Sequence, residues 1–188
     1  MAGTNHRRRA LRGGVRAGFS LIELITVIVI MGIVSAVAIG SMGRSRQNRQ
    51  RAAAHTMVVN IAYARERALA TGHPTWVYVY TNTETFSLYE TVGGVLVTMT
   101  DPATNKQLTT VLGASSDNAQ FAEVGVLSVN GATSASAIIF GFDWQGRLTD
   151  SGGALASSDW TITVTQSGQT TITVTVYAET GLATVTAW

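Results

Sequence analysis

Few residues in this chain have both the type and the spacing to do chemistry, and the sharpest case is one carboxyl group. Glu23 lies in RAGFSLIELITVIVIMGIVSAVAIGSM, residues 16–42, inside an apolar run that starts just after Gly18 and Phe19. A run of roughly twenty apolar residues spans a bilayer as a helix. A carboxylate within hydrocarbon costs roughly 2–4 kcal/mol on insertion scales and is normally kept for a function. The remaining candidates are weaker. His6, His55 and His73 are scattered. No HExxH, nucleophile elbow, P-loop or close metal-ligand spacing occurs. Asp143, Asp150 and Asp159 stand in or beside loop segments, but their spacing is no calcium-loop signature, so they are expected to be solvated acids. The many Ser and Thr lack a placed base. The expectation is a protein with no catalytic residues, cofactor, metal or small-molecule substrate.

Gly18-Phe19-Ser20-Leu21-Ile22-Glu23-Leu24, preceded by a basic leader and followed by the apolar run, resembles the class III leader of type IV pilins and type II secretion pseudopilins. The resemblance implies that a membrane-embedded prepilin peptidase cuts between Gly18 and Phe19, and that Phe19 becomes an N-methylated amino terminus. It further implies that Glu23 meets the amino terminus of a neighbouring subunit during assembly, as a register pin. Two charges that are costly alone in a low dielectric neutralise each other when paired.

The residues fit that chemistry. An ordinary secretory signal loses its apolar region on cleavage. Here the arginines Arg7, Arg8, Arg9, Arg12 and Arg16 precede the scissile bond and the apolar helix follows it, so the helix is retained. The positive-inside rule puts that leader on the cytoplasmic side. No small-x-small cleavage site ends the apolar run. The alternative is an ordinary single-span anchor with a chance acid.

Two further stretches narrow the resemblance. Ala64-Arg65-Glu66-Arg67-Ala68-Leu69-Ala70-Thr71-Gly72, followed by Trp76-Val77-Tyr78-Val79, is similar to a helix end and first strand of the GspH/FimT group of minor pseudopilins and minor pilins. Ile138–Leu148 and Tyr177–Gly181 are similar to that group's later strand-and-turn segments. On their own chemistry, Arg65 and Arg67 read as a solvated helix face, and Phe140–Arg147 as a strand running into a glycine turn. Members of the DNA-uptake branch carry arginines after the terminal glycine. Here Gly181 is followed by Leu182-Ala183-Thr184, without the cations a phosphate backbone needs.

Composition sets the remaining limits. The 188 residues suit one compact domain plus an anchor. The net charge of +2 belongs to the leader: five of the 13 basic residues lie before Phe19, leaving eight against 11 acids. Beyond Gln50 five basic residues face ten acids, so the folded part is acidic and no general nucleic-acid binder. There is no cysteine, so disulfides play no part.

The elements that must hold these residues follow from periodicity. The fold class expected is α+β and pilin-like: a long amino-terminal helix, half transmembrane and half amphipathic, packed on antiparallel β-sheets. The segments are a leader over 1–18, an apolar helix over 19–42, an amphipathic continuation over 43–72 and a β-rich domain over 73–188. Gly40 and Gly43 predict local melting near 40–43, since each glycine costs a helix about 1 kcal/mol. Arg44, Arg46, Arg49 and Arg51 form a basic collar, either solvated beside the membrane or paired with acids of neighbouring subunits. Met57, Ile61, Ala64 and Ala68 make an apolar helical stripe, and Gly72-His73-Pro74 stops the helix. Alternation then predicts strands at 76–80, 85–90, 95–99, 108–112, 121–129, 137–142, 160–166, 170–178 and 183–187. The resemblance implies an inner-membrane, single-pass protein with its carboxy-terminal domain in the periplasm. It would join a type II secretion pseudopilus, at or near the tip, or alternatively a type IV or competence pilus. Its partners would be prepilin peptidase, other pilins or pseudopilins, the inner-membrane assembly platform and secreted protein substrates; DNA is disfavoured.

Overall fold

The computed structural model describes residues 20–113, 116–118, 121–130 and 137–185, with the side chains of 37–44 and of 127 outside the description. Gly18, Phe19 and the leader therefore lie outside the described residues. So do 186 and 187 of the last expected strand.

The sequence forms one helix and ten strands among the described residues. α1 spans Leu21–Thr71. The strands are β1 Thr75–Tyr80, β2 Thr85–Val92, β3 Val95–Thr98, β4 Thr109–Val111 and β5 Val124–Val129. They continue with β6 Ile138–Phe142, β7 Leu148–Thr149, β8 Trp160–Gln166, β9 Ile172–Val176 and β10 Ala183–Val185. The expected melting near 40–43 is not observed, because the helix runs through Gly40 and Gly43 with its backbone ladder intact. Glycine lowers helix propensity but breaks no hydrogen bond. The helix ends at Gly72, whose positive φ of 68° supplies the left-handed cap and whose N–H donates to Ala68 O at 2.9 Å.

Contacts divide the chain into two compact units, Met1–Gly40 and Ser41–Trp188. In the second unit β1 is central to one antiparallel sheet, ordered β3-β2-β1-β6-β7 with β4 also on β2. A second sheet runs β10-β9-β8-β5. Their apolar faces share one core with the helix stripe. Ala53, Ala54, Met57, Ile61, Ala64 and Ala68 are buried, against Val77, Val79, Phe86, Phe140 and Phe142 from the first sheet and Ile162, Val164 and Val174 from the second. The repeated alanines let the helix approach the sheets closely. Phe140 and Trp160, with ring centroids 5.1 Å apart, join the two sheets. In β8, Ile162 and Val164 are buried while Thr161, Thr163 and Thr165 are only half-buried, as a period of two requires.

Candidate functional site

Glu23 sits in the first turn of α1. Its N–H donates to Ser20 O at 3.1 Å and lies 3.3 Å from Ser20 Oγ. Ser20 is thus the helix N-cap, and Ser20 followed by Glu23 is the S-x-x-E capping pattern. That pattern is a signal in the sequence itself for where the helix starts. The Glu23 side chain is exposed and makes no hydrogen bond or ion pair among the described residues.

Around Glu23 the helix is bare. From Leu21 to Val34 every large apolar side chain is exposed, from 47% at Val27 to 75% at Leu21. The hydroxyls on this stretch turn back onto their own helix: Thr26 donates to Ile22 O and Ser35 to Met31 O, each at 2.7 Å. That arrangement leaves no hydroxyl in need of water. Among the described residues no helix is long and apolar enough to cross a membrane. The expected span over 19–42 includes Phe19 and the side chains of 37–42, which lie outside them.

Two residues of the basic collar stay well exposed and also pair within the chain. Arg46 and Arg49 approach Glu123 Oε2 of their own chain at 3.5 and 3.9 Å, and Gln166 Nε2 donates to the same oxygen at 3.1 Å. Beside them the buried Gln50 donates to Val164 O and Thr170 O at 2.9 and 3.0 Å, fastening the helix to the β8–β9 turn. The side chain of Arg44 is outside the described residues.

The solvated reading is corrected for Arg65, while Arg67 stays on an exposed helix face. Arg67 forms a two-point pair with Glu90, at 2.8 and 3.4 Å. Arg65 Nε donates to Gly146 O at 3.1 Å and to Thr180 O at 2.9 Å. A helix residue therefore binds two loops more than 80 positions away, and the three stretches singled out in the sequence meet at one point. Gly181 (φ 65°) has no room for a Cβ, which would lie 2.3 Å from Gly146 O and 3.1 Å from Arg65 Nε. Thr75 Oγ1, buried, donates to Ala64 O at 2.9 Å and ties β1 to the same helix end.

Two of the acids expected to be solvated, Asp143 and Asp150, fasten turns, and the exposed Asp159 holds a distant backbone N–H. Asp143 accepts from the N–H groups of Gln145 and Arg147 and from Arg147 Nε, each at 2.9 Å. Burial pushes its carboxyl upward, but the Arg147 and Gln145 hydrogen bonds outweigh that and hold it below the usual carboxylate value. Asp150 accepts from Gly152 and Ala154, and Asp159 from Ala178. Through Oδ1, Asp143 and Asp150 lock their own turns, while Asp159 ties its loop to Ala178, 19 positions on.

The comparisons with known proteins agree with this geometry. Residues 15–39 match the prokaryotic N-terminal methylation motif. The fold is similar to that of the minor pseudopilin EpsH from the type II secretion system of Vibrio cholerae, at 13% identity and a TM-score of 0.53, covering 74% of this chain and 97% of that one. It is also similar to the type IV minor pilin FimU of Pseudomonas aeruginosa, at 13% identity and a TM-score of 0.50, covering 76% of this chain and 92% of that one. No curated protein sequence matches the chain. The chain thus carries a match to the N-terminal methylation motif together with a pilin-like α+β fold.

Proposed function

We propose that this chain is a structural subunit, a minor pseudopilin of a type II secretion system. It is cut between Gly18 and Phe19, N-methylated on Phe19, and assembled from the inner membrane into a periplasmic pseudopilus, at or near its tip. The observation that carries this reading is the bare apolar helix whose first-turn carboxylate has no partner among the described residues, within the matched methylation motif. Covering that surface is worth on the order of 10 kcal/mol before ordering costs, enough to drive insertion into lipid or a helical filament core. After cleavage the Phe19 ammonium adjoins the Ser20 cap, where the helix dipole disfavours positive charge. A carboxylate in the first turn offsets that penalty, and Glu23 of a neighbouring subunit would do so only in the correct register. The work of the chain is therefore assembly, with no reaction catalysed.

The second reading is a minor pilin of a type IV or competence system, favoured by the likeness to FimU. The acidic domain and the uncharged stretch after Gly181 weigh against DNA as its ligand. A deletion strain of the host separates the two. Exoproteins retained in the periplasm, with normal piliation and DNA uptake and restored by complementation, support the secretion reading. Lost pili or transformation with normal secretion moves the chain to the pilus branch.

A further inference from the structure

The two sheets end in several outer strands, and most of them are blunted. β7 has two residues and is followed by a bridge from Thr149 to Leu155. β5 carries a register shift between Val126 and Ser128. β4 and β10 have three residues each. Such devices stop a sheet from adding strands.

β3 has four residues and no register shift, and the bridge that follows it, from Thr100 to Gln107, lies beyond its end. It is the outer strand of its sheet and pairs only with β2 among the described residues. It follows a tight turn at Gly93 and Gly94, both at positive φ, which suits a two-residue hairpin. From Thr91 to Met99 no residue is charged. Val92, Val95, Leu96 and Val97 are exposed, at 56, 63, 43 and 44%. An uncharged, β-branched, uncovered edge is a ready template for pairing.

The hydrogen-bond pattern says which groups are free. Met99 N–H donates to Leu88 O at 2.8 Å, so Leu88 faces the β3 side of β2. The register then makes Glu90–Val97 and Val92–Val95 the hydrogen-bonded pairs. Alternation turns the N–H and C=O groups of Leu96 and Thr98 outward, to the free edge. A lipid tail or an apolar side chain covers valines but leaves those groups unpaired. An extended backbone satisfies both needs at once.

We propose that the free edge of β3 is a docking edge for an extended, uncharged β-strand of a partner protein subunit, which adds to the first sheet through the Leu96 and Thr98 backbone groups. Leu96 would meet the partner's side chains on one face of the extended sheet, and Val95 and Val97 on the other. This proposal rests on the assembly reading for the identity of the partner, another filament or secretion subunit, but not for the chemistry of the edge.

The test uses the full chain in its host's deletion strain. Proline at 96 removes an outward N–H while leaving the β2 ladder intact, and an edge strand tolerates it. Leu96→Val should restore whatever output the wild-type chain restores. Leu96→Pro should accumulate to the wild-type level in membranes yet lose that output by about tenfold or more. Full restoration by Leu96→Pro overturns the proposal. A failure of the secretion reading shows separately, in which output the wild-type chain restores. Hydrogen exchange decides the matter if Leu96→Pro does not accumulate. In the wild-type chain the Leu96 and Thr98 amides should exchange about tenfold more slowly in native membranes than in detergent-purified protein. Equal exchange in the two preparations overturns the proposal.

Discussion

Replacing Gly181 with alanine tests whether Arg65 holds the distal end of the domain together. At φ 65° any Cβ is strained, by about 1 kcal/mol. Gly168 is the internal reference, because its φ is 76° and a Cβ there meets nothing within 4 Å. At Gly181 the new methyl would lie 2.3 Å from Gly146 O, so backbone has to move. Moving that carbonyl or Thr180 disturbs the two hydrogen bonds from Arg65 Nε, at 3.1 and 2.9 Å. Hydrogen bonds to a charged donor are worth about 1.5–3 kcal/mol each, and partial exposure discounts them to about 2 kcal/mol together. Gly181→Ala should therefore cost about 3 kcal/mol and Gly168→Ala about 1 kcal/mol. For a unit of this size the melting points should fall by about 10 °C and about 3 °C. Thermal unfolding of the full chain in detergent, followed by tryptophan fluorescence, reads both, since Trp160 packs on Phe140 in the core. Equal shifts for the two variants would refute the junction.

Glu23→Val should be cut after Gly18 as usual yet fail in methylation or assembly, and normal filament incorporation of this variant would remove the register role. Asp143 has a depressed carboxyl pKa in the folded chain. Its contribution is therefore complete above the ordinary carboxylate value near 4 and is lost as pH falls below it. Urea titrations from pH 6 downward should show a smaller acid loss for Asp143→Asn than for wild type, and parallel curves would contradict this. Gln50→Ala strands the buried carbonyl of Val164, frees the part-buried one of Thr170 and should cost about 2 kcal/mol, whereas Glu123→Gln, in an exposed ion pair, should cost under about 1 kcal/mol in the same assay.

The large elements were legible because periodicity is a local property. The change from the helical stripe of Met57, Ile61, Ala64 and Ala68 to the alternation of Trp76–Tyr80 marked the helix end, and the Gly72 cap sharpened it. β8 was read with its observed bounds because Thr and Ile or Val alternate through it without interruption. β7 was missed because two residues carry no period. The role of Arg65 was misread for a different reason. A charged residue on a helix or in a loop looks solvated until the distant loops that it binds are in place. Arg65 reaches Thr180 across 115 positions, a pairing no local spacing encodes. The resemblance did mark those stretches, but only the fold revealed that they meet.

The central claim concerns processing, so the most direct measurement is the mass of the amino-terminal peptide from the chain purified out of its native membranes. The expected result is a chain that begins at Phe19 with one methyl group on its nitrogen. A chain that still begins at Met1, or one cut after the apolar run, would contradict the prepilin reading and with it the register role of Glu23.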